Sequence, residues 1–192
     1  MAQLEVLQGD ITTLPADVVV NAANSTLLGG SGVDGAIHRA GGPAILEACK
    51  KLRLTTLPDG LPTGEAVATT AGKMLAEWVI HTVGPVYDRD PDPAENLKAC
   101  YSNAMALAEE LGAQSIAFPA ISTGVYGYPK HEAAKIAVAT LLEQAPNCRS
   151  LQRILLVTFS TEDTEILQQA LGEGETLSLF NHSIGRACRS DC

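Results

Sequence analysis

The residues best suited to chemistry fall in two glycine-rich segments. The first is Asn21-Ala22-Ala23-Asn24-Ser25-Thr26-Leu27-Leu28-Gly29-Gly30-Ser31-Gly32-Val33-Asp34-Gly35-Ala36, and the second is Pro119-Ala120-Ile121-Ser122-Thr123-Gly124-Val125-Tyr126-Gly127-Tyr128-Pro129. Glycine carries no Cβ, so a ligand can approach the backbone closely. A run of backbone N–H groups ahead of a helix makes a nest for anions. Two such loops facing each other suit a pyrophosphate. A plain strand-to-helix turn is the competing explanation for either one alone.

Other chemistries lack their motifs. Gly30-x-Gly32-x-x-Gly35 matches the dinucleotide fingerprint, but nine residues separate Val20 from Gly30, and the fingerprint should open directly after its strand. There is no G-x-x-x-x-G-K-[ST] and no G-x-S-x-G, which argues against a P-loop NTPase and an α/β-hydrolase serine. His38, His81, His131 and His182 share no metal-ligand spacing, and Cys49, Cys100, Cys148, Cys188 and Cys192 form no C-x-x-C pair. These cysteines read as reduced thiols of a cytoplasmic protein. His81, within Val79-Ile80-His81-Thr82-Val83, reads as a strand residue with a satisfied ring.

The elements that must position the loops are legible from the apolar runs. Strands are expected at 4–7, 17–20, 66–70, 78–83, 115–118 and 153–159, several of them continuous runs that imply cover on both faces. Between them lie helical stretches at 33–40 and 43–52, divided by Gly41-Gly42, and at 93–111 and 130–144. Asp92, Pro93 and Glu95 form a start signal for the third, and Gly112 a stop. Ser160-x-x-Asp163 opens a last helix, expected to end near Leu171. This alternation predicts a three-layer α/β/α sandwich, with both glycine-rich loops at the carboxyl ends of strands, where open α/β sheets bind ligands. Residues 1–172 read as one domain. Residues 173–192 read as a C-terminal tail, loosely ordered or added to the natural chain.

The chain has 192 residues and a formal net charge of −9, with 46% hydrophobic and 18% charged residues. That composition suits one globular α/β domain and excludes disorder, collagen and coiled coil. The charge argues against a binder of long nucleic acids and against docking on anionic membranes.

Further stretches complete a pattern. Gly9-Asp10-Ile11-Thr12, Val20-Asn21-Ala22-Ala23-Asn24, Gly29 through His38, Pro62-Thr63-Gly64-Glu65-Ala66, His81-Thr82-Val83-Gly84-Pro85 and Phe118 through Pro129 together resemble the macrodomain family. The branch they resemble is the MacroD type, and within it the bacterial O-acetyl-ADP-ribose deacetylases. The match runs from about residue 3 to 171, in order and with family spacing. Ser31 stands where many relatives have a third glycine.

The resemblance implies a six-stranded mixed sheet and an ADP-ribose cleft. It implies that Asp10 accepts from the adenine amino group beside the Ile11 backbone, and that Phe159 covers the adenine face. Gly32 and Val33, with Ser122, Thr123, Gly124, Val125 and Tyr126, would wrap the diphosphate and distal ribose. Asn24 and Asp34 would flank that ribose as catalytic residues. Asn24 offers a donor and an acceptor, and Asp34 lies at a helix start, where the dipole favours an anion. Taken without the resemblance, Asp10 reads equally as a turn cap, Asp34 as a helix N-terminal acid, Phe159 as core and Tyr126 as an exposed turn aromatic. The implied activity is deacetylation of O-acetyl-ADP-ribose and removal of mono-ADP-ribose esterified to Asp or Glu of proteins. It needs no metal or cofactor. The alternatives are a non-catalytic ADP-ribose reader and an ADP-ribose 1″-phosphate phosphatase. Implied partners are ADP-ribose, its O-acetyl ester and ADP-ribosylated proteins, with no membrane and no nucleic acid.

Overall fold

The computed structural model describes residues 1–187. Six strands form one sheet: β1 (Gln3–Gln8), β2 (Val18–Ala23), β3 (Ala66–Thr70), β4 (Trp78–Val83), β5 (Ser115–Phe118) and β6 (Arg153–Thr158). Their order is β1-β6-β5-β2-β4-β3. All neighbours are parallel except the edge pair β3–β4, in which Val67 lies opposite His81. The sheet is therefore mixed, and its six strands are the six expected from the apolar runs.

Strand alternation sorts the core into two layers. Val18 and Val20, with Ile80, Ile116, Phe118, Ile154 and Leu156, face one side. There they meet α3 (Pro93–Glu110), α4 (Lys130–Gln144) and α5 (Thr161–Ala187). Val19, Val79, Ala117, Leu155 and Val157 face the other side, against α1 (Gly32–Gly41) and α2 (Pro43–Leu54). The helices on both faces explain why the parallel strands are continuous apolar runs. On α4 the buried Ala134, Ala137, Val138 and Leu141 recur at helical spacing and make a narrow, close-packing stripe.

Two local expectations need correction. Asp92 stands at the start of α3 but makes no side-chain cap. Just before the helix, the Asp90 carboxylate accepts from the Asp92 N–H at 2.8 Å and from Asn96 Nδ2, and so ties the incoming chain to the first turn through side chains. The last helix also runs past Leu171 to Ala187, so the tail expected from residue 173 opens as a continuation of α5. In the fold, a Cβ on Gly174 would lie 2.9 Å from Val138 Cγ1 and 3.0 Å from Leu142 Cδ1, so its bareness lets α5 stay against α4. Cys188 and Cys192 lie outside the described residues. At the head of α5, Ser160 Oγ does accept from the Asp163 N–H at 3.0 Å, as its spacing predicts.

Candidate functional site

A cleft of about 520 Å³ opens along the carboxyl ends of the parallel strands. That volume lies in the usual range for small-molecule sites. One wall is the β2–α1 loop with Asn24, Gly30, Gly32, Val33 and Asp34. The other is the β5–α4 loop, Ser122 through Tyr126. Ile11 and Phe159 line one end. Every site residue expected from the sequence lines the cleft except Asp10. Asp10 is exposed at its edge, and its Oδ1 accepts from Thr12 N at 2.9 Å and Thr12 Oγ1 at 2.7 Å, capping a short 3-10 turn. Gly9, Ser31, Gly84, Ser160 and Asp163 line the cleft too and were not among the expected site residues.

Asn24 and Asp34 are brought together across Gly30. A Cβ on Gly30 would lie 3.0 Å from Asp34 Oδ2 and 3.3 Å from Asn24 Nδ2, so a missing side chain keeps the space between them open. Asn24 also holds its own loop. Its Oδ1 accepts from Thr26 N at 3.1 Å and Thr26 Oγ1 at 2.5 Å, and its Nδ2 donates to Gly29 O at 3.0 Å. Both acceptor lone pairs are thus engaged, which leaves Asn24 one N–H and makes it a donor toward the cleft. The expected double role of Asn24 narrows to one. Arg53, from α2, locks the same loop by donating to Thr26 O at 3.0 Å, Leu57 O and Pro58 O.

Asp34 sits in the first turn of α1 and is 5% exposed. Its Oδ1 accepts from Asn21 Nδ2 at 2.8 Å, and His38 Nε2, one turn on, lies 3.4 Å away. Asn21 is the functional neighbour that the residue-by-residue reading did not single out. It is fully buried on β2, two residues after Val19 and on the same face, which aims it at α1. Tyr126 approaches from the opposite loop: burial, then the Asp34 charge, push its phenol pKa up. Among the described residues, no group of three His, Cys, Asp or Glu is placed to hold a metal ion.

The backbone around the cleft is arranged for anions. α1 begins at Gly32 with no side-chain cap on its first N–H groups, so they remain for a ligand. Ser122 holds φ at +66°, a left-handed value unusual for serine, and its buried Oγ has no protein partner. That hydroxyl packs where any side chain on Gly84 would stand. Strain and an unpartnered hydroxyl in one cleft wall are marks of a binding loop. Phe159 is 63% exposed, so the core alternative for it fails.

A cleft at strand ends beside an uncapped helix start, with an Asn and an Asp meeting over a glycine, on this mixed sheet, defines a macrodomain. The chain belongs to that family: the Macro domain matches residues 20–137. It is 54% identical to a macro domain-containing protein of Streptomyces coelicolor, over 90% of this chain and all of the relative. It is 53% identical to an O-acetyl-ADP-ribose deacetylase of Klebsiella pneumoniae, over 88% of this chain and 96% of the relative. Among solved structures, the Oceanobacillus iheyensis macrodomain with ADP superposes with a TM-score of 0.87 at 45% identity, covering 90% of this chain and 91% of that one. The Trypanosoma brucei macrodomain in complex with ADP-ribose gives 0.75 at 36% identity, covering 88% and 68%.

Proposed function

We propose that this chain hydrolyses O-acetyl-ADP-ribose at the ester on the distal ribose, and that the same chemistry frees mono-ADP-ribose esterified to Asp or Glu of proteins. The observation that carries the reading is the pair Asn24 Nδ2 and Asp34 Oδ2, facing each other across bare Gly30 in the cleft. Relatives named O-acetyl-ADP-ribose deacetylase at about half identity support it.

In this reading the adenine lies against Phe159, with Ile11 beneath it and Asp10 at its edge. The diphosphate rests on the N–H groups at Gly32 and Val33 and on the loop from Ser122 to Tyr126. Asn24 donates to a hydroxyl of the distal ribose and fixes its orientation. Water attacks the acyl carbon while Asp34 Oδ2 holds one of its hydrogens. The bond from the acyl carbon to the ribose oxygen then breaks. Asp34 takes that hydrogen as a proton and returns it to the ribose oxygen, and the acyl group leaves as acetic acid, which ionises in solution. The loop N–H groups stabilise the developing charge without moving.

The test is turnover of O-acetyl-ADP-ribose by the wild type and by Asp34→Ala, with ADP-ribose binding measured by calorimetry in parallel. Expected is loss of turnover with binding retained. Undiminished turnover in Asp34→Ala refutes the assignment. Tight binding by the wild type without hydrolysis of either ester makes the chain a reader. Phosphate release from ADP-ribose 1″-phosphate, with no ester cleavage, makes it a phosphatase.

A further inference from the structure

Behind Asp34, three polar residues interrupt the apolar face that the sheet turns to α1 and α2. They are Asn21 on β2, His81 on β4 and Thr69 on β3. Asn21 and His81 are direct partners in the parallel register, and all three side chains are buried. Asn21 Nδ2 lies 2.8 Å from Asp34 Oδ1 and 3.1 Å from His81 Nδ1. His81 Nε2 lies 2.8 Å from Thr69 Oγ1, and that hydroxyl donates to Thr70 O at 3.0 Å.

The chemistry of these groups permits one arrangement of protons. Asp34 and His81 Nδ1 both face the Asn21 amide nitrogen, so each receives one of its two N–H bonds. His81 Nδ1 must then carry no hydrogen. Burial, and next the nearby His38, push the His81 pKa down to about 3, so the ring is neutral and its hydrogen sits on Nε2. Nε2–H donates to Thr69, whose own hydrogen is spent on Thr70, while Cys49 Sγ lies farther off, 3.9 Å from the same nitrogen. One atom is left over: Asn21 Oδ1 is buried without a partner. A buried amide oxygen with no donor is costly. Rotation of the Asn21 side chain to relieve it would withdraw an N–H from His81 or from Asp34. The orphaned oxygen therefore marks an amide held in place by its two acceptors.

We propose that His81 is a positioning residue for Asp34, acting through Asn21. The imidazole does not touch the cleft. It fixes which way the Asn21 amide faces, and so keeps a donor on Asp34 Oδ1 while Oδ2 remains turned to the cleft. Without the His81 acceptor, one N–H as well as the carbonyl of Asn21 is unsatisfied, and the side chain is free to turn away. The inference rests on the reading of Asp34 given above and adds to it the residues that hold the carboxylate.

The experiment has two arms. Long-range proton–nitrogen NMR on the wild-type protein at pH 7 reads the His81 tautomer directly, and the neutral Nε2–H form is expected. A charged ring or an Nδ1–H tautomer overturns the inference. The kinetic arm compares His81→Leu, which fills similar space without an acceptor, with His81→Asn, whose amide oxygen falls near the position of Nδ1. In His81→Leu, kcat on O-acetyl-ADP-ribose should fall about ten-fold or more, the effect of losing one hydrogen bond to a charged group, with ADP-ribose affinity unchanged. His81→Asn should recover most of that loss. Equal kcat losses in the two variants, or an undiminished kcat in folded His81→Leu, overturn the inference. Should His81→Leu not fold, Thr69→Val serves: it removes the oxygen acceptor of Nε2–H and leaves only the weak Cys49 sulfur at 3.9 Å, and kcat should fall with binding retained, while an unchanged kcat overturns the inference. Asp34→Ala, run beside them, separates the two failures. Lost turnover there with none lost in His81→Leu refutes this inference alone, whereas full turnover in Asp34→Ala refutes the reading beneath it.

Discussion

Acid should destabilise this fold through His81 in a calculable way. The ring is fully buried and its pKa is about 3, against 6.5 in the unfolded chain. Between those values the unfolded state binds a proton that the folded state refuses. Stability is therefore complete above pH 6.5 and falls as the pH drops, until the folded ring itself protonates near 3. At pH 5 the unfolded ring is one and a half units below its pKa, which is about 2 kcal/mol of lost stability. That is a large fraction of what a domain of this size has. Urea unfolding at pH 7.5 and pH 5.0 measures it, with His81→Asn as the comparison, because Asn keeps an acceptor and does not titrate. The rest of the chain is common to both proteins, so the wild type should lose about 2 kcal/mol more than the variant. Equal losses would mean that the ring is solvated or charged in the fold, and the buried relay described above would fall with it.

Gly30→Ala should lower kcat/KM on O-acetyl-ADP-ribose about 100-fold by pressing a methyl between Asn24 and Asp34, and steady-state kinetics check it. Phe159→Ala should weaken ADP-ribose binding between about five- and 100-fold, the range for loss of one stacked aromatic, with no change in Tm, because the ring is largely exposed. Calorimetry and thermal melts separate the two effects. Glu109 accepts the backbone N–H groups of Arg149, Ser150 and Leu151. Glu109→Ala should cost about 1–2 kcal/mol of stability in urea and leave turnover unchanged. ADP-ribose affinity should change less than about three-fold between 50 and 200 mM salt, since no basic side chains neutralise the ligand, and titrations at the two salt concentrations test it.

The fold was legible because its strands are apolar runs and its breaks are glycines. Gly41-Gly42 divided the first two helices correctly, with Gly42 at φ +77° between α1 and α2. The cleft loops were legible for the same reason. What escaped was whatever depends on pairing across the sheet. Asn21 is one polar residue in Val-Val-Val-Asn-Ala-Ala, and nothing local says that its neighbour is His81, sixty residues on. The available signal was joint: a polar residue inside each of three strands, each on the face turned to α1 and α2. Gly174 escaped for a similar reason. A glycine that ends a helix and one that lets a helix touch another look alike until the second helix is in place.

The cleft also explains how a chain of charge −9 would take the proposed anionic ligand. Its lining contains Asp34 and Asp163 but no Lys or Arg. Lys130, beside it, is bound to Asp163 at 2.7 Å. In the proposed complex the diphosphate is held by backbone N–H groups and helix ends, whose partial charges act over a few ångströms and add nothing to the net charge. This arrangement has a chemical consequence for the carboxylate. A lysine close enough to grip the phosphate would also reach Asp34 and occupy the lone pairs that must hold water. Neutral donors avoid that. Asn21 supplies Oδ1 with a hydrogen bond that carries no charge, and the amides supply the phosphates. The same logic accounts for glycine at position 30, because a side chain there would press against Asp34 Oδ2 and Asn24 Nδ2 and close the space between them.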